Sequence, residues 1–343
     1  MRYSFLNDYS EGAHPSILNA LVESNMIQQT PYGDDVFSVD AKQRIRKHLG
    51  ASFSGSVHFV ASGTLANLVS IGSVLKPYEA VITVQSGHIV SHEAGAIEAT
   101  GHKLITVPGV EGKLTPINLR EAIAKNSFFP HMAKPGLIYI SNVTEMGTVY
   151  THAELSALSA IAKEHGLLLF MDGARMGMAL ASNKNDMTLA DIAELCDLFW
   201  IGGTKVGALL GEAIVVSNPG LVEGFDICIK QKGGLLAKGR LLGVQFQTLF
   251  NDELLYVDIA RHANAMAAQL AQGIKAAGYD LQDEPDANQV FAILPNTLIE
   301  TLKQSFEFFV WQPVDDKKSL VRLVTSWATE ESQVIRFVEQ LSS

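Results

Sequence analysis

Residues 166–177 read GLLLFMDGARMG. The apolar run Leu167–Met171 has the length of a strand buried on both faces, and it stops at a carboxylate, Asp172, followed at once by Gly173, Ala174 and Arg175. In a parallel sheet the carboxyl ends of the strands line the ligand crevice, so an acid placed directly after such a strand is a candidate ligand-binding group. An Asp-Gly turn is the ordinary alternative. The rest of the chain has to decide between them.

Working outward, the same signature recurs. Strand-length apolar runs fall at 56–62, 80–85, 102–108, 136–141, 197–203 and 212–217, beside 167–172 itself. Segments of helical period lie between them at 63–75, 91–100, 115–126 and 152–166, the last with Thr151 suited to its N-cap and Gly166 to its C-terminal end. This alternation predicts an α/β fold: a large domain, residues 1–247, with a mainly parallel seven-stranded sheet between helices. From about Leu235 the pattern changes to long helical stretches, 239–252 and 256–278, then to strands in NQVFAILP and KSLVRLVTSW and a closing helix in TEESQVIRFVEQLSS. A smaller C-terminal α/β domain over residues 248–343 is expected. The segment NSFFPHMAKPG, 126–136, reads as an irregular loop.

Composition narrows the function classes. The 343 residues are 47% hydrophobic and carry a formal net charge of -10, without the clustered Lys and Arg that nucleic acid or an anionic membrane would require. Cys196 and Cys228 stand far apart with no CxxC spacing, which indicates neither a disulfide framework nor a zinc site. The first residues, MRYSFLNDYSEGAHP, lack the apolar core of a secretion signal, and no run of eighteen apolar residues occurs. The expectation is a soluble cytoplasmic protein acting on a small molecule.

Two further stretches bear chemistry. In FVASGTLANLVS, a strand gives way at Ser62-Gly63-Thr64 to a helix, whose free N–H groups, favourable dipole and close-approach glycine suit an anion. The stretch is neither a Walker loop nor a GxGxxG fingerprint, so nucleotides are disfavoured. In DLFWIGGTKVGALLGEA, Lys205 follows another apolar strand among small residues; a poorly solvated lysine can act as an amine nucleophile toward a carbonyl. Each has a plain alternative, a helix cap and a snorkelling lysine. Together, an anion cradle, an acid for a pyridinium nitrogen and a Schiff-base lysine describe the partners of pyridoxal 5'-phosphate. His88 and His92, four apart, could share a helical face toward a metal, but no third ligand follows at a familiar spacing and no metal is expected.

The order of blocks, SGT, then His88, then MDGAR, GGTK and VRLVT, resembles the threonine aldolase and β-eliminating lyase group of fold-type I pyridoxal-phosphate enzymes, and most nearly the low-specificity L-threonine aldolases. The resemblance runs from NDYSEGAHP and PYGDD to RLVTSW. It implies that Lys205 holds the cofactor, Asp172 pairs with its ring nitrogen, and Ser62, Gly63 and Thr64 bind its phosphate. His88 would stack on the ring with Glu93 in support. Arg175 and Arg322 would serve the ring hydroxyl and the substrate carboxylate, with Arg322 as the main clamp, and His131 would approach the substrate hydroxyl. Tyr32 would lie near a neighbouring subunit's site, and Lys232, Lys238 or Arg240 would reach its phosphate, in a homo-oligomer built as a dimer of dimers.

Three features depart from the group's pattern. Asn7 stands where a serine usually precedes the N-terminal aspartate, here Asp8; the lysine reads Thr204-Lys205-Val206; and KQKGGLLAKGR matches the basic segment only approximately. The implied reaction is retro-aldol cleavage of L-threonine, L-allo-threonine and related β-hydroxy-α-amino acids to glycine and an aldehyde. The base could be His88, His131 or a histidine-bound water. A β-eliminating amino-acid lyase is the alternative on the same machinery, and a non-catalytic cofactor- or anion-binding protein the alternative of another class.

Overall fold

The computed structural model describes residues 2–341. Its centre is a seven-stranded sheet in the spatial order Ser56–Val60, Glu212–Val216, Leu198–Gly202, Leu168–Asp172, Lys134–Ser141, Glu79–Val84 and Lys103–Val107. All seven correspond to the apolar runs read from the sequence. Glu212–Val216 runs antiparallel to both neighbours; every other pairing among the remaining strands is parallel.

The strands read as unbroken apolar runs because both faces are covered. Leu169, Met171, Phe199 and Ile201 point into one core, whereas Tyr139, Phe170, Leu198 and Trp200 point into the other. Helices Pro116–Lys125 and His152–His165 form where the sequence places them. The second begins with a Thr151–Glu154 capping box and ends at Gly166, whose φ of 65° is one that glycine adopts readily. The stretch 91–100 is not the expected helix. Helical turns occur only at His88–Ser91 and Glu98–Thr100, because Ala94 and Gly95 both take positive φ between them.

A second sheet, antiparallel, has the order Phe309–Pro313, Lys318–Val324, Gln289–Pro295 and Asp280–Leu281. Its core contains Leu270, Ile274, Phe306, Val334 and Phe337, supplied partly by helices Leu255–Ala276 and Glu331–Leu341. The last two residues of the expected closing helix, Ser342 and Ser343, lie outside the described residues. Helix Leu255–Ala276 touches both cores, with Tyr256 and Ala260 in the large one and Leu270 and Ile274 in the small one. The chain start also joins the small sheet side: Tyr3–Ser4 pairs in parallel with Phe306–Glu307, and Phe5 is fully buried in the small core.

Candidate active site

Because the strands at 56–60, 79–84, 134–141, 168–172 and 198–202 share one direction, their carboxyl ends meet along one edge of the sheet. The reversed strand brings its first residue, Glu212, to that edge. A cavity of about 370 Å³ opens there, lined among others by Tyr9, Ser62, Thr64, His88, Asp172 and Lys205. That volume suits a small organic molecule.

Asp172 is held from three directions. Its Oδ2 accepts from the Tyr139 hydroxyl at 2.6 Å and the Asn67 amide at 3.0 Å, and its Oδ1 accepts from the Ala174 N–H at 2.9 Å. Burial, then the charge of Asp172, pushes the Tyr139 phenol well above its ordinary range, so it remains a donor. Asn67 extends the network. It donates to Glu93 Oε1 at 2.7 Å and accepts from the Trp200 indole at 3.0 Å. His88 Nδ1 lies 2.8 Å from the same Glu93 oxygen; a carboxylate can only accept, so Nδ1 carries the proton and Nε2 is the free basic nitrogen. His88 stacks on His92, with ring centroids 5.4 Å apart, while its backbone N–H donates to Glu145 Oε1 at 3.0 Å.

At the anion cradle, Ser62 caps helix Gly63–Val74, with its hydroxyl accepting from the Leu65 N–H at 3.4 Å. Gly63 lies flush against Trp200: a Cβ there would sit 2.8 Å from the indole Cη2. Only glycine lets the helix start this close.

Opposite stand the cations. Arg175 makes a two-pronged pair with Asp8, Nε to Oδ2 at 2.7 Å and Nη2 to Oδ1 at 3.1 Å, and Asn288 adds a third bond to Asp8 at 2.9 Å. Burial opposes ionisation of Asp8, but the charges of Arg175 and Lys205 and these hydrogen bonds outweigh it and hold its carboxyl below the usual range. Lys205 Nζ lies 5.8 Å from the Tyr9 ring centroid. Desolvation, then Arg175, lowers its amine below the ordinary lysine value, against the pull of Asp8, Asp172 and Glu212. A lysine so placed has a larger share of neutral, nucleophilic amine.

The structure thus gathers Ser62, Gly63, Thr64, His88, Asp172, Arg175 and Lys205 around one cavity, with Glu93 buried behind His88. Arg322 is not on the wall but lies within electrostatic reach of Arg175, Asp8 and His92. Its guanidinium lies against the rings of Phe309 and Trp311, at 5.5 and 5.1 Å, and its buried Nε has no hydrogen-bond partner among the described residues.

Other expected residues lie elsewhere on this chain. His131 is exposed and stacks on Phe128. Tyr32 lies under Lys230 Nζ at 4.3 Å, beside a separate surface cavity. Lys232 reaches toward Gly72, and exposed Lys238 borders a surface groove with Arg240, which is tied to the Ile27 and Ser24 carbonyls. Asn7 does not line the cavity; its side chain accepts from the Tyr9 N–H at 2.9 Å in a local turn.

Residues not singled out from sequence complete the site: Asp8, Tyr9, Asn67, Tyr139, Glu145, Trp200 and Glu212. A signal existed for Glu212 and Asn67. The first is a charge abutting an apolar strand, as Asp172 is, and the second is a polar residue one turn into an apolar helix.

With the geometry established, the chain can be set beside known proteins. Residues 5–297 match the beta-eliminating lyase family. A low specificity L-threonine aldolase from Pseudomonas sp. (strain NCIMB 10558) is 35% identical over 96% of this chain and 94% of its own length. The solved structure of a Leishmania major threonine aldolase superposes with a TM-score of 0.96 at 47% identity, covering 99% of this chain and 98% of that one. A double mutant of Thermus thermophilus aspartate aminotransferase, 15% identical with a TM-score of 0.72 over 99% of this chain and 91% of its own, shares the fold. The chain belongs to the beta-eliminating lyase family, on the fold-type I scaffold.

Proposed function

We propose that the protein is a pyridoxal-phosphate-dependent aldehyde-lyase that cleaves L-threonine, L-allo-threonine and related β-hydroxy-α-amino acids to glycine and an aldehyde. The observation that carries this reading is the convergence of Lys205, Asp172 and the Ser62–Thr64 helix start on one cavity. The residues fit the cofactor. A glycine that no Cβ could replace fronts the anion cradle, a carboxylate with three donors stands across from it, and the orphaned Arg322 Nε calls for an anion. When bound, pyridoxal phosphate supplies the electron sink that lets a bond at the substrate α-carbon break.

The chain's own residues do the rest. The Lys205 amine would hold the cofactor carbonyl, the N–H groups at Gly63 and Thr64 would hold its phosphate, and Asp172 would pair with its ring nitrogen. Arg175 and Arg322 orient the substrate carboxylate through charge-assisted hydrogen bonds. His88 Nε2 takes the proton of the substrate β-hydroxyl, with Glu93 keeping the proton on Nδ1. Fixing the substrate carboxylate selects which α-carbon bond is broken.

The family resemblance supports a homo-oligomer, a dimer of dimers, in which Tyr32, Lys232 and Lys238, outside this chain's cavity, would serve a neighbouring subunit's site. A small-sheet core separate from the cores of the large sheet supports the two domains expected, 1–247 and 248–343, with helix Leu255–Ala276 packing into both. The free thiols of Cys196 and Cys228 support a cytoplasmic setting; no helix among the described residues is long and apolar enough to cross a membrane.

The test is the visible absorbance of the protein with added pyridoxal phosphate, wild type against Lys205→Ala, followed by L-allo-threonine. A Lys205-dependent band that shifts on substrate with release of acetaldehyde is expected. A Lys205-dependent band that ignores threonine would move the assignment to β-elimination, and no band at all would refute the cofactor.

A further inference from the structure

Glu212 begins strand Glu212–Val216 and is 4% exposed, yet it lines the cavity. Both its oxygens act on the segment that carries Lys205. Oε2 accepts from the Gly203 N–H at 2.9 Å and Oε1 from the Thr204 hydroxyl at 2.8 Å. The same hydroxyl accepts from the Gly211 N–H at 3.1 Å, while the N–H groups of Gly203 and Thr204 both point at the Gly211 carbonyl. A Cβ on Gly203 would fall 2.6 Å from that carbonyl oxygen. Glu212 therefore clamps the neck of a tight loop, residues 203–211, on which Lys205 is mounted.

The surroundings of Glu212 contain little other charge. Its sheet partners are Gly202 and Val60. From helix Leu255–Ala276 comes Tyr256, which donates to the Gly202 carbonyl at 2.9 Å; burial, then Glu212, keeps that phenol protonated. The charge that acts on Glu212 is that of Lys205, an amine that Asp8 and Asp172 also attract and Arg175 opposes.

We propose that Glu212 is the positioning residue of Lys205: it clamps the loop on which the amine is mounted and, with Asp8 and Asp172, makes up the negative side of its surroundings. This rests on reading Lys205 as the amine that captures the cofactor carbonyl. A buried carboxylate carries a desolvation cost that an uncharged acceptor would avoid, so clamping the loop does not by itself account for a charge here. Burial pushes the Glu212 carboxyl up to about 7, against the bonds from Thr204 and Gly203 and the charge of Lys205. Near neutrality it can thus take up or release a proton. Ionised, Glu212 favours the ammonium form of Lys205; neutral, it frees the amine.

The experiment measures the amine directly. The full chain, treated with hydroxylamine to free its amines and dialysed, is reacted with trinitrobenzenesulfonate across neutral to alkaline pH, and labelling of Lys205 is followed by peptide mass spectrometry. In Glu212→Gln the half-point should move down by about one pH unit, so labelling at a fixed pH below it rises up to about ten-fold. Glu212→Asp, which keeps the charge but draws it back from the Gly203 N–H and the Thr204 hydroxyl, should keep a half-point near that of wild type, which tests the charge even if Glu212→Gln fails to fold. An unmoved half-point in Glu212→Gln, or one in Glu212→Asp that falls as far, overturns the proposal. Failure of wild type to develop visible absorbance with pyridoxal phosphate would instead refute the cofactor reading, a separate outcome.

Discussion

The buried pair of Asp8 and Arg175 is open to a quantitative test. Asp8 is fully buried and the Arg175 side chain is 12% exposed, so neither partner is screened by bulk water. Asp8→Ala removes two hydrogen bonds from Arg175 and one from Asn288, leaving a guanidinium beside Lys205 without its anion. Breaking a buried ion pair from one side costs about 3–5 kcal/mol. Arg175 keeps an outlet to the cavity and Asn288 keeps its 2.7 Å bond to the Thr325 carbonyl. The loss should therefore lie near the lower end, about 3 kcal/mol. Arg175→Ala, which strands a carboxylate with no exposure at all, should cost more.

Urea unfolding followed by tryptophan fluorescence measures both, and a double-mutant cycle should return a coupling of roughly 2–3 kcal/mol, at the upper end of measured couplings. The pH dependence has a definite sign. Because the native Asp8 carboxyl lies below its ordinary value, the pair's contribution is complete above about pH 4 and fades as pH falls through the lowered native value. The gap between wild type and Asp8→Ala should close in acid. A loss below about 1 kcal/mol, or additive single substitutions, would refute the picture of an unsolvated pair.

Further expectations concern the site. Gly63→Ala places a methyl 2.8 Å from the Trp200 Cη2, and the indole is pinned by Asn67; overpacking of about 1–3 kcal/mol and weaker pyridoxal-phosphate binding by absorbance titration should follow, and wild-type affinity would count against the close approach. Tyr139→Phe deletes a 2.6 Å bond to Asp172 in the core and should lower stability to urea by about 1.5–3 kcal/mol, the range for a bond to a charged group. Trp311→Ala removes one of the two aromatic rings against Arg322, worth about 1 kcal/mol, so KM for a β-hydroxy-α-amino acid should rise roughly five-fold with kcat little changed. A fall in kcat alone would argue against carboxylate binding by Arg322.

Why some of this was legible in the sequence and some was not follows from the range of the interactions. Strands covered on both faces announce themselves as apolar runs, so the large sheet could be counted from Ser56 to Val216. The short connection from Gly202 to Glu212 is too tight for a parallel crossover, which is why that strand alone runs backwards. Helices Pro15–Ser24 and Val36–Lys47 give a weak apolar period, because their buried residues, such as Ile17, Ala41 and Ile45, are few beside exposed Val22, Val36 and Val39. Asp172, Lys205 and the cradle stood out because each abuts an apolar strand. Tyr139, Asn67 and Trp200 did not. Each looks like core, and its role appears only through contacts made 33 to 133 residues away.

The pairing of Tyr3–Ser4 with Phe306–Glu307 bears on the order in which the molecule can be made. Asp8, four residues past that strand, binds Arg175 and Asn288. A ribosome that has just released residue 175 into free space has a nascent chain with the central strands available but no partner for Tyr3, and Asn288 is still to be synthesised. Contacts of such large sequence separation are late and slow to close. Residues 3–8 are thus among the last to settle, and until they do, Arg175 lacks the full set of contacts that fixes it. Maturation of the cavity is in this sense timed by the arrival of the small sheet.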